Sequence, residues 1–210
     1  MHDDGKAFWE RTARRYDLSM WLFGGPLDAM LPLVADEVSG RERVLELAAG
    51  TGLVTAAIAP VVGELVATDY AEAMVAKLDE RVRALGLDHV RTRTLDLYTL
   101  DGEERFDAIV AANVLHLLPD LDRALTVMTR SLRPGGRLIV PTYCHDQNGV
   151  GRVISRGMGW VGFPGQRRLT LERLVERLTA KGLRIRKSVL LRGLLPIGFV
   201  SAESEGPSGG

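Results

Sequence analysis

Strand-like apolar runs alternate with helix-like segments through most of this chain, and that alternation most constrains its fold. Residues 43–48 (RVLELA), 64–69 (ELVATD), 90–96 (VRTRTLD), 106–115 (FDAIVAANVL) and 137–143 (RLIVPTY) read as strands. A short helical stretch, 53–60, follows the first. Met74, Val75, Leu78, Val82 and Leu85 fall on one helical face that stops at Gly86. Leu121, Ala124, Leu125, Met128 and Leu132 form another, with Asp120 as N-cap. Residues 133–136 (RPGG) read as punctuation before the fifth strand. Leu171, Leu174, Val175 and Leu178 make a further face closed by Gly182, and 183–191 and 197–203 suit an antiparallel pair at the sheet's end. This pattern predicts an α/β fold, a mainly parallel sheet with helices on both faces. Strands buried on both faces read as continuous apolar runs, as the first and fourth do.

The 210 residues suit one domain. It is expected to span 1–203, with 1–40 as an N-terminal helical cap of two or three helices, 144–168 as an irregular insertion, and 204–210 as a flexible tail. Lys+Arg and Asp+Glu balance at 27 each, so the basic footprint of a nucleic-acid binder is missing and none is expected as partner. The single cysteine, Cys144, excludes an intrachain disulfide. The charged N-terminus has no signal-peptide core, and no apolar run reaches the roughly 18 residues that span a bilayer. A cytoplasmic location is expected, with peripheral membrane contact left open.

The first strand runs directly into a turn that carries Gly50 and Gly52, with the carboxylate of Glu46 inside the strand. Glycine there lets a ligand approach the backbone and permits positive φ. Its position at a strand's carboxyl end is where open parallel sheets bind ligands. The plainer reading is a tight strand-to-helix turn. Asp69 and Asp96 end the second and third strands. Asp69 is placed to accept from ribose hydroxyls and Asp96 from an exocyclic amine. The competing reading for each is a helix N-cap or a solvated strand end. A dinucleotide site calls for Gly-x-Gly-x-x-Gly/Ala, but Thr55 holds the sixth position. Glu46 would repel a pyrophosphate and attract an ammonium.

With these residues in place, the chain resembles the class I S-adenosylmethionine-dependent methyltransferases. Their glycine motif is matched by Glu46-Leu47-Ala48-Ala49-Gly50-Thr51-Gly52, except that Ala48 stands for the first glycine, which suits alanine only at negative φ. The resemblance implies a Rossmann-like, doubly wound, seven-stranded sheet with an antiparallel last strand and a helical cap. It implies S-adenosylmethionine as cofactor, with the 48–52 turn along its methionine and ribose part. Asp69 would take the ribose hydroxyls, Tyr70 would sit near the adenine, Asp96 and the Leu97 amide would meet its amine, and Met74 would be a further cofactor-binding residue. The segment 106–120 (FDAIVAANVLHLLPD) resembles the fourth-strand region, where Asn113 and His116 would border the methyl-transfer site. Residues 8–25 resemble the start of quinone-biosynthesis C-methyltransferases and bacterial phospholipid N-methyltransferases, which puts Tyr16 near the sulfonium and implies a small-molecule or lipid-like acceptor.

The implied reaction is in-line methyl displacement. His116 and His145 are candidate bases and Tyr16 a candidate catalytic neighbour of the sulfonium. The competing role of His116 is packing or helix capping, and that of His145 a solvated loop. Cys144-His145-Asp146 has the wrong spacing for a zinc site, so no metal is expected. Trp9, Trp21, Phe23, Trp160 and Phe163 are candidates for an apolar pocket or for the cap's own core. Arg152, Arg156, Arg167 and Arg168 suit an acidic substrate or simple solubility. Two alternatives stand beside methyl transfer: an NAD(P)-dependent oxidoreductase, opposed by Thr55 and Glu46, and a non-catalytic S-adenosylmethionine-binding protein.

Overall fold

The computed structural model describes residues 24–144, 169–193 and 195–205. Its elements in chain order are α1 (Gly24–Val38), β1 (Arg43–Leu47), α2 (Leu53–Ile58), β2 (Glu64–Asp69), α3 (Glu72–Ala84), β3 (Val90–Thr94), β4 (Phe106–Val110), α4 (Leu121–Arg130), β5 (Leu132–Ile139), β6 (Thr142–Tyr143), α5 (Leu171–Ala180), β7 (Leu183–Leu191) and β8 (Ile197–Ser204). Short 3₁₀ turns occur at Ala59–Val61, Leu97–Thr99 and Leu115–Leu117. The sheet order is β3-β2-β1-β4-β5-β8, with β7 on the far side of β8 and β6 continuing the line of β5 along β8. Counting β5 and β6 as one interrupted strand gives the expected seven positions. β1 to β5 pair in parallel, and β8 runs antiparallel to both β5 and β7.

β8 is therefore inside the sheet and β7 forms its margin. Side-chain character explains this order. Ile197–Val200 are buried and need cover on both sides, whereas β7 places exposed Arg184 and Arg186 on an edge that charge keeps unpaired. The opposite margin, β3, is polar for the same reason.

Strand alternation splits the core between two faces. Leu45, Leu47, Ile109 and Leu138 pack with Leu121, Leu125 and Met128 of α4 and Leu174 and Leu178 of α5. Val44, Leu65, Ala108 and Val110 pack with Met30 and Val34 of α1, Val54 and Ile58 of α2, and Leu78 and Val82 of α3. Each such buried side chain contributes roughly 1.5–3 kcal/mol of transfer free energy. Asp120 caps α4 by accepting from Arg123 N, as the sequence predicts. Gly86 and Gly182 follow α3 and α5 with φ of 64° and 75°, the left-handed stop that glycine allows.

Boundaries of β5, β4 and β8 differ from the sequence reading. β5 begins at Leu132, because the RPGG segment is absorbed as a bulge: Phe106 faces Leu132 but Ala108 faces Arg137. It breaks beyond Ile139, where Pro141 lacks an N–H for the ladder. The fourth run is a strand only to Val110. Its remainder turns through Asn113, and Val114 and Leu115 are buried in the core instead. β8 extends to Ser204, one residue into the expected tail.

α1 is fastened to the sheet by an ionic cluster. Glu37 accepts from Ser201 Oγ at 2.6 Å and pairs with Arg137 at 3.1 Å and Lys187 at 3.2 Å. Burial pushes its carboxyl up, but the Ser201 and Lys187 hydrogen bonds and the charges of Arg137 and Lys187 outweigh it, leaving a net depression. Among the described residues no helix is long and apolar enough to cross a membrane.

Candidate functional site

Strand order reverses at β1, whose neighbours are β2 on one side and β4 on the other. The crevice outside the carboxyl ends of strands at such a reversal is the usual ligand site of an open α/β sheet. Turn 48–52 lies there. Ala48, Gly50 and Gly52 all have positive φ, at 56°, 58° and 86°. The turn is held by Ala49 N donating to Thr68 O at 2.8 Å, Gly52 N to Ala49 O at 3.0 Å, and Gly50 N to Asp69 Oδ2 at 2.9 Å.

The two glycines and the alanine do different work. A Cβ on Gly52 would lie 2.7 Å from Leu78 Cδ1, so this glycine admits α3 against the turn. Ala48 does not take the negative φ that would suit it. It is left-handed, which costs an L-residue about 1–2 kcal/mol. Its methyl packs against the α4–α5 side of the core, which offsets part of that strain.

Asp69 is neither a solvated strand end nor a free carboxylate. It is 9% exposed; Oδ2 accepts from Gly50 N and Oδ1 from Ala71 N at 2.9 Å, and the Tyr70 amide also points to it. Burial raises its pKa, against the opposing effect of the Ala71, Gly50 and Tyr70 amides. A carboxylate has about four acceptor sites. Three amides leave about one for a ligand, fewer than the two ribose hydroxyls the sequence reading assigns to it.

Glu46 is 1% exposed inside β1. Thr55, the residue that breaks the dinucleotide pattern, donates to Glu46 Oε2 at 2.6 Å. Burial raises the Glu46 carboxyl to about 8, with Asp69 adding to the rise and Thr55 opposing it. Near neutral pH Glu46 is therefore mostly protonated. The anionic attraction for an ammonium is correspondingly weak, because the strand interior disfavours the charge. Thr55 carries this pairing and was not among the expected site residues. Its only sequence signal is a hydroxyl in the first helical turn after a buried carboxylate.

Asp96 caps the 3₁₀ turn that follows β3, accepting from Tyr98 N at 3.0 Å, while Leu97 is buried. The capping reading thus holds for Asp96. Tyr98 clamps this turn to α4: its hydroxyl donates to Asp120 O at 2.9 Å and accepts from Asp120 N at 3.0 Å, and the Arg123 guanidinium lies over its ring. Met74 is buried with Ala71 in a small cluster at the start of α3, apart from both main cores, and half-buried Tyr70 lies just before it.

On the other side of β1, Asn113 has φ of 53° and donates its backbone N–H to Pro141 O at 2.7 Å. Its amide nitrogen faces Met30 Sδ at 4.0 Å, and its Oδ1 is buried without a hydrogen-bond partner. His116 is 1% exposed, with Nδ1 3.2 Å from Thr142 Oγ1 and its ring edge-on to Tyr143. That surrounding fits a packing role better than a base. Cys144 is buried, its Sγ packed where Gly198 leaves room and its thiol pushed up to about 11 by burial. Among the described residues no group of His, Cys, Asp and Glu is placed to hold a metal ion. Tyr16, His145, Asp146, Trp9, Trp21, Phe23, Trp160, Phe163 and Arg152, Arg156, Arg167 and Arg168 lie outside the described residues.

The structure thus brings Glu46, Ala48, Ala49, Gly50, Gly52, Asp69 and Thr55 into one bonded unit. Residues 45–138 match the family described as "Methyltransferase domain". It is 33% identical to the ubiquinone/menaquinone biosynthesis C-methyltransferase UbiE of Teredinibacter turnerae, over 66% of this chain and 59% of that protein. It is 28% identical to a phosphatidylethanolamine N-methyltransferase of Cereibacter sphaeroides, over 70% of this chain and 74% of that protein. The chain thus spans less than two thirds of the first of these relatives. The fold matches that of the N-methyltransferase NodS of Bradyrhizobium japonicum, solved with S-adenosyl-L-homocysteine, at a TM-score of 0.68 and 21% identity over 86% of this chain and 85% of that one.

Proposed function

We propose that this chain transfers the methyl group of S-adenosylmethionine to a small-molecule or lipid-like acceptor by in-line displacement. The observation that carries the reading is the left-handed turn 48–52 at the reversal of strand order, braced by the carboxylate that ends β2. The donor set fits an adenosine-bearing ligand. The remaining Asp69 site accepts one ribose hydroxyl, Asp96 and the Leu97 amide meet the adenine edge, and Met74 and Tyr70 give it apolar cover. Ala48, Ala49, Gly50 and Gly52 supply backbone along the rest of the ligand, with Glu46 beneath them as a neutral hydrogen-bonding partner.

When bound, S-adenosylmethionine supplies a methyl group already activated for displacement on a sulfonium. The protein's part is alignment and exclusion of water, and positioning of this kind supplies several kcal/mol. Tyr16 belongs to the same proposal as a neutral neighbour of the sulfonium. His116 shapes the far wall through Thr142 and Tyr143. The relatives' names support acceptors among quinone precursors and phospholipids.

Calorimetry with S-adenosylmethionine, S-adenosylhomocysteine, NAD and NADP tests the cofactor, and transfer of labelled methyl to quinone-precursor, phospholipid and small-amine panels tests the activity. Methyl incorporation is expected. Tight NAD or NADP binding with no S-adenosylmethionine signal overturns the reading, and cofactor binding without transfer to any acceptor favours a non-catalytic binder.

A further inference from the structure

Asn113 combines three features. Its φ of 53° is left-handed, and the only other described non-glycine residue with positive φ is Ala48. The two stand at the carboxyl ends of neighbouring parallel strands, since Glu46 of β1 faces Val110 of β4. They therefore flank the crevice where strand order reverses. Third, Asn113 Oδ1 is buried and accepts no hydrogen bond. An orphaned buried acceptor costs about 1–3 kcal/mol, and backbone strain adds to it. Two such costs at one residue beside a ligand crevice mark a group held ready for a donor.

Topology says which donor. Asp69 lies on the β2 side of β1 and Asn113 on the β4 side, so a ligand whose ribose meets Asp69 presents its other end to Asn113. An amide oxygen accepts a hydrogen bond but takes no proton near neutral pH. It therefore suits a nucleophile that carries hydrogen and still has a lone pair before losing any proton. A neutral amine meets that description, whereas a hydroxyl needs a base, and His116 is tied to Thr142.

We propose that Asn113 Oδ1 accepts an N–H hydrogen bond from the attacking nitrogen, so that the acceptor class is primary or secondary amines. This rests on the methyl-transfer reading above. The amine lone pair forms the N–C bond as the S–C bond breaks onto sulfur. Positive charge passes from sulfur to nitrogen, and the ammonium product gives its proton to water. Asn113 aims the lone pair by holding the N–H opposite it.

The test uses two probes that differ where the methyl sits. S-Adenosylhomocysteine has a bare thioether there. Sinefungin replaces the sulfur by a carbon and carries an amine where the methyl sits, and so offers N–H donors to Asn113. Affinities for both are measured by calorimetry on the wild-type chain, Asn113→Gly and Asn113→Asp, with melting curves alongside. Glycine is unstrained at this φ, so Asn113→Gly removes Oδ1 without adding backbone strain, and aspartate keeps an acceptor. The ratio of sinefungin to S-adenosylhomocysteine affinity should fall about tenfold in Asn113→Gly and be kept in Asn113→Asp, as expected for a hydrogen bond to a charged donor. An unchanged ratio in Asn113→Gly, including equal weakening of both probes, overturns the assignment while leaving cofactor binding intact. If neither probe binds the wild-type chain, the methyl-transfer reading itself fails and this inference fails with it.

Discussion

Ala48 and Glu46 hold conformations or protonation states that their side chains alone would not choose. Ala48→Gly removes a left-handed alanine and should raise stability by up to about 1 kcal/mol in urea unfolding. A loss instead would mean that methyl packing outweighs the strain. Glu46 has a folded-state value of about 8 against an ordinary 4.5. Between those values the folded chain keeps a proton that the unfolded chain releases, so stability falls as pH rises through that window. Glu46→Gln keeps an acceptor for Thr55 and should flatten the slope between pH 5 and 8. An unaltered slope would show that Glu46 is ionised in the fold. The sequence makes Glu46 visible as a carboxylate in an apolar strand. Its raised value comes from burial in the finished sheet, with Asp69 adding to it, and the Thr55 hydroxyl that opposes the rise reaches it only when α2 forms. Ala48 was legible as a departure from the glycine motif, but its φ was not, because the compensating contact lies in the α4–α5 core.

Elements meet the site through a few contacts that local pattern does not encode. Gly52→Ala would drive a methyl into Leu78 of α3 at a φ of 86°. It should cost about 2 kcal/mol or more and weaken cofactor-analogue binding through the displaced turn. Wild-type stability would show that α3 yields freely. Tyr98→Phe removes both hydrogen bonds to Asp120 and should cost about 1 kcal/mol. Binding of S-adenosylhomocysteine should weaken further in calorimetry, because the turn that carries Asp96 and Leu97 loses its clamp. Glu37→Ala should cost about 2 kcal/mol by unpairing Ser201, Arg137 and Lys187. Since the Glu37 carboxyl is net depressed below 4.5, its contribution is present above that value and is lost as pH falls through the folded-state value. Acid unfolding of wild type and variant should converge there. Helix and strand identities were legible for the same segments from period and caps, as at Asp120, Gly86 and Gly182. Boundaries at β4 and β5 were not, since Val114 and Leu115 serve the core as non-strand residues and RPGG is tolerated as a bulge.

At the scale of the whole molecule, the order of strands decides the chemistry. The alternation of runs made the parallel sheet legible. It left the place of β8 between β5 and β7 unread, because pairing partners depend on which margin tolerates charge. The site itself was legible as carboxylates ending successive strands beside a glycine turn. The capping of Asp96 was legible too, because its partner, the Tyr98 amide, is two residues away, whereas the bond from Gly50 N to Asp69 was not, since it joins two strands' ends only in the completed fold. The central claim is that an adenosine-bearing ligand lies across the ends of β1, β2 and β3, with its ribose at Asp69. A crystal structure of the chain with S-adenosylhomocysteine tests it most directly. One ribose hydroxyl should donate to Asp69 at about 2.7 Å while the Gly50 and Ala71 amides keep their bonds. A ligand lying elsewhere, or an Asp69 with no ribose contact, would contradict the account.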